Sequence, residues 1–344
     1  MLNATNSVVQ RNYFLAGIEK KLMHKMKHFF LYFRSEYLTL ATIFWTILAI
    51  CFSLLAALDN IWLLGIGIVI FLQYLTDYFD GLIGREKKTG LVYWGYYMDH
   101  SLDYIFLCSI LLGYLMIIDS QYSLLIFFML FLLSSFAIYA FLMRELTGIF
   151  NVSYFGIGPT EIRLVGIILA FYFGIFGVTQ MALLFEIVII ILSVGLLYIL
   201  FETFQQKKYN PLFTSQATKF CWYLFISLIF ISLSFYHKNN QFFLITCLLF
   251  LEFSLISYLL IQKILIIPVS MHQYHLKNNI SNLFLLQKHF ILPAFFLIGF
   301  LVLEMYSLSF ILFFIFLLFL SITIFKVQQN RWELDMAIRN SNNK

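Results

Sequence analysis

Charge is scarce in this sequence. Asp, Glu, Lys and Arg together supply 11% of its 344 residues, where a soluble globular chain carries roughly a quarter. That shortage excludes a water-facing surface over most of the chain, and with it a soluble enzyme or a nucleic-acid binder. Proline is nearly as rare, at four residues, and sixteen glycines are thinly spread, which excludes long disordered linkers. The four cysteines, Cys51, Cys108, Cys221 and Cys247, each sit inside an apolar run without ligand spacing. They suit neither a metal knuckle nor a disulfide framework and are read as small buried hydrophobes.

What abounds is apolar surface: 62% of residues are hydrophobic and 20% aromatic. Ten apolar segments each approach the ~20 residues that cross a bilayer as a helix. They are placed at 37–58, 61–80, 100–118, 121–143, 162–178, 180–203, 219–236, 241–265, 287–304 and 307–326. The fold class expected is an all-α polytopic membrane bundle of ten transmembrane helices. Ahead of them, Phe14, Leu15, Ile18, Leu22, Met23 and Met26 alternate with Lys20, Lys21, Lys25 and Lys27. That pattern predicts a basic amphipathic helix within residues 1–36, lying in the membrane interface against anionic membrane lipids. If both termini are cytoplasmic, 21 of the 22 Lys and Arg fall on the cytoplasmic side and only Lys238 falls outside. The positive-inside rule therefore selects that topology. The chain divides into a motif-bearing core at 37–204, a polar connector at 205–218, four further helices at 219–326 and a cytoplasmic tail at 327–344.

Polar residues concentrate in one stretch. It reads Asp77-Tyr78-Phe79-Asp80-Gly81-Leu82-Ile83-Gly84-Arg85, then nine residues, then Gly95-Tyr96-Tyr97-Met98-Asp99-His100-Ser101-Leu102-Asp103. On a helix Asp77, Asp80, Gly81, Gly84 and Arg85 share one face, because residues three and four apart are neighbours. Asp99 and Asp103 are one turn apart on the next segment. Two such helices aim four carboxylates at one point. Four carboxylates cannot all stay ionised there without cations, so the pattern predicts a divalent metal site, with two ions expected.

This stretch resembles the signature of the CDP-alcohol phosphotransferase family, D-x2-D-G-x2-A-R, eight or nine residues, then G-x3-D-x3-D. Every position agrees except that Gly84 stands where the family usually has Ala. The resemblance implies transfer of a substituted phosphate from a CDP-alcohol to an acceptor hydroxyl, with release of CMP, in phospholipid biosynthesis. It implies Mg2+ or Mn2+ held by Asp77, Asp80 and Asp99, with Asp103 a further ligand or the base that deprotonates the acceptor. Gly81 and Gly84 would let the nucleotide lie against the helix, and Arg85 would bind the diphosphate. Family members commonly carry Pro-Asn before a Leu-Thr ahead of the first helix. Here Thr39 agrees, as a contact to the CDP moiety, while Ser35 and Glu36 replace Pro and Asn.

Two further features are similar to the choline and ethanolamine phosphotransferase branch: His100 directly after Asp99, and Thr160-Glu161 in the run Gly156-Ile157-Gly158-Pro159-Thr160-Glu161. A His paired with a Glu can take a proton from an alcohol, since imidazole titrates near neutrality. His100 can equally orient Asp99; Glu161 can cap a helix, but a catalytic role is the reading taken for it, because Pro159 and the glycines set a sharp entry facing the cytoplasmic side. The branch implies a CDP-aminoalcohol donor and a diacylglycerol-like acceptor. The alternative within the family is CDP-diacylglycerol with a small polar alcohol. An alternative of another class is a non-catalytic transporter or scaffold, against which stands the lack of paired interrupted helices. The family implies a homodimer; a bacterial inner membrane, with the site facing the cytoplasm, is the expected location.

Overall fold

The computed structural model describes residues 9–10, 14–87, 92–119, 122–147, 150–151, 153 and 156–207, and a few positions between 221 and 336. Among the described residues seven α-helices follow in order: α1 (Ala16–Phe30), α2 (Ser35–Ala56), α3 (Leu63–Glu86), α4 (Val92–Ile117), α5 (Ser123–Thr147), α6 (Pro159–Phe176) and α7 (Met181–Lys207). Six of them are long and apolar enough to cross a membrane: Ser35–Ala56, Asn60–Glu86, Trp94–Ile117, Ser123–Phe141, Pro159–Phe176 and Met181–Glu202. These match the first six expected segments. Most of the four expected over 219–326, of the connector and of the tail lies outside the described residues.

The helices pack in a definite pattern. α2 packs on both α3 and α4, α3 packs on α6, and α5 packs on α7. The shared core runs through Ala49, Leu63, Ile66, Val69, Leu111 and Phe173. α5 is mostly buried, whereas few residues of α6 and α7 are, as suits helices that face lipid on one side. The α2–α4 crossing is close: a Cβ on Gly113 would stand 2.0 Å from Ser53 Oγ and 2.7 Å from Ser53 Cβ. Small residues at a crossing let two helix backbones approach where apolar burial alone cannot drive association in lipid.

Two helices run further than their hydropathy suggested. The apolar signal for the second segment stops at 80, yet α3 continues to Glu86. α4 begins at Val92, eight residues before the expected 100. The aspartates, glycines and Arg85 lower hydropathy but leave the backbone ladder unbroken. All four aspartates therefore stand on helix, fixed in direction by neighbouring turns.

α1 has three faces. Glu19, Met23 and Phe30 are buried, and Phe30 stacks on Phe79 of α3 at 4.0 Å between ring centroids. Met23 and Phe30 join Leu38, Leu75, Phe79 and Ile83 in a second, smaller apolar cluster. Ile18, Leu22 and Phe29 form an exposed apolar stripe, while Lys20, Lys21, His24, Lys25 and His28 make an exposed basic one. The segment is docked as well as amphipathic. Lys27 pairs with Glu86, and Lys87 donates to the carbonyls of Leu31 and Phe33. On its other side Phe14 N–H donates to the Gly156 carbonyl at 3.0 Å. Val9–Gln10 (β1) pairs in parallel with Phe150–Asn151 (β2).

Candidate metal centre

α3 and α4 bring Asp77, Asp80 and Asp99 together, with one carboxylate oxygen from each lying within 4.8 Å of the others. Asp77 and Asp80 reach one spot because they are three residues apart on α3; Asp99 arrives from α4, held against the same α2. Asp80 is buried, whereas the side chains of Asp77 and Asp99 keep 17% and 28% of their surface exposed. The site is thus sunk in the bundle yet reachable. Three hard oxygen donors at this spacing suit Mg2+ or Mn2+ and suit no soft metal. The residues present fit such an ion on the chemistry of the donor set alone.

Asp80 and Asp77 are each held by a polar neighbour. Thr39 Oγ1 on α2 donates to Asp80 Oδ2 at 2.8 Å. The same hydroxyl lies 3.2 Å from the Ser35 carbonyl, but it has one proton, and a carboxylate is the stronger acceptor. Thr39 thus touches a candidate ligand directly. His100 Nδ1 lies 3.2 Å from Asp99 Oδ2, and its ring packs on Tyr96 and on Phe141 of α5 at 4.5 and 5.4 Å. Asp103 stands beside the group of three. Gln73 Nε2 donates to its Oδ1 at 2.6 Å, and Arg163 Nη2 donates to its Oδ2 at 3.3 Å.

Arg163, one turn into α6, closes the cluster from the far side. Its Nη1 is 2.6 Å from Asp77 Oδ2, so one guanidinium bridges Asp77 on α3 and Asp103 on α4. Behind it, the Tyr74 ring lies 5.6 Å from the guanidinium carbon. Tyr74 OH donates to Glu19 Oε1 on α1 at 2.7 Å, and Thr160 Oγ1 donates to the same oxygen at 3.2 Å.

Glu161 is engaged elsewhere. Its Oε2 accepts from Gly158 N–H and its Oε1 from Leu15 N–H, both at 2.9 Å. It caps α6 and ties the start of α1 to it. Arg85 is exposed and folds back over Gly81, where a Cβ would stand 3.2 Å from its Nη1. The missing side chain at Gly81 is thus what allows the guanidinium to lie along the helix. Gly84 is half-buried on the same side of α3.

Three participants lack a motif: Gln73, Tyr74 and Glu19. Gln73 is a lone amide in an apolar stretch, one turn before Asp77. Glu19 is the single acid in an otherwise basic helix. Each is a polar residue out of keeping with its surroundings, which is the signal that would have found it.

Comparison with known proteins bears on the same residues. Residues 33–199 match the family model described as CDP-alcohol phosphatidyltransferase, a stretch that contains α2 to α6, most of α7, the three-aspartate cluster and Arg163. The family is generally dependent on a divalent metal. No curated protein matches the chain.

Proposed function

We propose, taking residues 33–199 as a CDP-alcohol phosphatidyltransferase domain, that this protein transfers a substituted phosphate from a CDP-alcohol to an acceptor hydroxyl in a membrane and releases CMP. The observation that carries the reading is the convergence of Asp77, Asp80 and Asp99 within 4.8 Å. A divalent metal bound there would neutralise the diphosphate and the charge that develops on the departing phosphate.

The protein's own groups divide the rest of the work. Asp77, Asp80 and Asp99 hold Mg2+ or Mn2+, with a second ion expected. Thr39 orients Asp80, and His100 stands beside Asp99 as a charge neighbour. Arg85, exposed at the end of α3, binds the diphosphate, and Gly81 and Gly84 give the nucleotide close access to that helix once Arg85 lifts. The acceptor oxygen bonds to the phosphorus that carries the alcohol, and the bond from that phosphorus to the CMP oxygen breaks. The hydroxyl proton goes to Asp103, whose oxygens are already aimed by Gln73 and Arg163. His100 is the other candidate base. Glu161, with both oxygens on backbone N–H groups, serves as a cap.

The donor favoured is a CDP-aminoalcohol with a diacylglycerol-like acceptor, on the strength of His100 and Thr160-Glu161. Phosphatidyl transfer from CDP-diacylglycerol to a small polar alcohol is the alternative that the family description favours. The exposed apolar and basic stripes of α1 support an interfacial position beside anionic lipid, and the Lys and Arg distribution supports a cytoplasmic site and cytoplasmic termini. A homodimer in a bacterial inner membrane completes the proposal, on family resemblance for the dimer.

The test is CMP release by the purified protein in lipid with Mg2+ or Mn2+. CDP-choline and CDP-ethanolamine are tried with diacylglycerol, and CDP-diacylglycerol with serine, inositol or glycerol phosphate. Metal-dependent CMP from one pair, lost in Asp103→Asn, establishes the reaction and picks the branch. No CMP from any pair moves the reading to the non-catalytic transporter or scaffold.

A further inference from the structure

The aspartate cluster is met by a cation that belongs to the protein. Arg163 spends both terminal nitrogens on it, 2.6 Å from Asp77 Oδ2 and 3.3 Å from Asp103 Oδ2. Asp77 is also one of the three residues whose oxygens converge on the candidate metal position. The same carboxylate therefore has two claimants, a guanidinium and a divalent ion. The guanidinium side chain is only 21% exposed. At such a site a positive charge repels a divalent ion with little screening.

Arg163 is also held from behind. The Tyr74 face lies 5.6 Å from its carbon, and Tyr74 is fixed in turn by the buried Glu19 carboxylate at 2.7 Å. Thr160, on the same first turn of α6, shares that carboxylate at 3.2 Å. This places the guanidinium on the aspartates by construction.

We propose that Arg163 is a built-in counter-cation that competes with the divalent metal for Asp77, so that metal and the diphosphate donor bind cooperatively. The inference rests on the metal-dependent CDP-alcohol reading above. A diphosphate brings its own negative charge and a fork of oxygens that suits a guanidinium. Arg163 then exchanges carboxylate oxygens for phosphate oxygens, and Asp77 is left to the metal. Because coupling is reciprocal, the donor tightens metal binding by the factor by which metal tightens the donor. The site resists adventitious loading and fills when the substrate arrives.

The experiment is a Mn2+ titration followed by electron paramagnetic resonance of the free ion, with and without CDP, on the full chain in lipid nanodiscs. CDP carries the diphosphate but no alcohol to transfer, so no turnover intrudes. In the wild type CDP is expected to tighten Mn2+ binding about tenfold or more. In Arg163→Gln, Mn2+ binds about tenfold tighter without CDP, as removal of a neighbouring unit charge requires, and the further gain from CDP falls below about threefold. Arg163→Lys keeps the charge and keeps the weak binding. If Arg163→Gln does not fold, Tyr74→Leu removes the support behind the guanidinium and moves Mn2+ affinity in the same direction. An Arg163→Gln affinity equal to or weaker than wild type, measured on folded protein, overturns the proposal. Asp80→Asn separates the two levels. If it binds Mn2+ as the wild type does, the metal site itself is misassigned.

Discussion

Thr39→Val isolates one hydrogen bond at the centre of the site. Thr39 is 5% exposed, and its Oγ1 sits 2.8 Å from Asp80 Oδ2. Valine keeps the shape and removes the donor, leaving a buried carboxylate oxygen without it. A hydrogen bond to a charged group is worth about 1.5–3 kcal/mol. If that bond serves to hold Asp80 in its ligating orientation, its loss appears as weaker metal binding. At about 1.4 kcal/mol per tenfold the expected loss is about 10- to 150-fold, in line with the 10–100-fold typical of groups that orient metal ligands. Mn2+ titration reads it directly, and the metal concentration for half-maximal CMP release should rise by the same factor. Thr39→Ser, which keeps the hydroxyl, should stay near wild type. The competing acceptor is the Ser35 carbonyl at 3.2 Å. Were the proton there, Thr39→Val would be nearly silent, so an affinity within about twofold of wild type refutes the reasoning, since 0.4 kcal/mol is below any bond to a charge. A Thr39→Ser protein as weak as Thr39→Val refutes it equally.

Other substitutions test the remaining parts. Asp103→Asn should lower CMP release by about 10²–10⁴-fold, the worth of a general base, while Mn2+ binding falls far less, because Asp103 stands outside the converging three. Glu161→Gln keeps one carbonyl oxygen for two backbone N–H groups, so thermal unfolding should show a loss of about 1 kcal/mol with turnover retained. A hundredfold fall in turnover at unchanged stability would instead make Glu161 a proton acceptor. Gly113→Ala drives a Cβ to 2.0 Å from Ser53 Oγ and 2.7 Å from Ser53 Cβ, and such overpacking costs about 1–3 kcal/mol. Thermal unfolding of Gly113→Ala with Ser53→Gly should recover most of that loss, whereas Ser53→Ala, which keeps the Cβ, should not.

How much of this was legible in the sequence depends on the range of the interaction. Asp77, Asp80, Asp99 and Asp103 announce themselves because helical spacing converts sequence separation into direction, and the first six spans follow from hydropathy. The extension of α3 and α4 past the apolar signal was not legible, since polar residues near a membrane face end a hydropathy window without ending a helix. Arg163 opens an apolar segment in the sequence, where a topology charge explains it as well as a phosphate contact does. Only the packing of α3 against α6 turns it toward Asp77. Gln73, Tyr74 and Glu19 stand out in the sequence only as polar residues unlike their surroundings, and what each does is set by the helix opposite, which no local pattern names. The second half of the chain carried no motif, and the described residues leave it largely untouched.

The strap formed by α1 has a consequence for the order in which the protein can be made. Leu15 meets Glu161 across 146 residues, and Glu19 meets Thr160 across 141. A ribosome adds about 5–20 residues per second, so the first helix waits on the order of ten seconds for its partner to appear. During that interval Asp77, Asp80 and Asp99 have all been synthesised and Arg163 has not. A nascent chain arrested before residue 163 therefore holds the acids without their arginine and the leading helix without its latch. Late arrival of α6 makes completion of the centre a near-final event in the biogenesis of residues 33–199, and exposes the earlier intermediate to whatever cations and quality-control factors the membrane surface supplies.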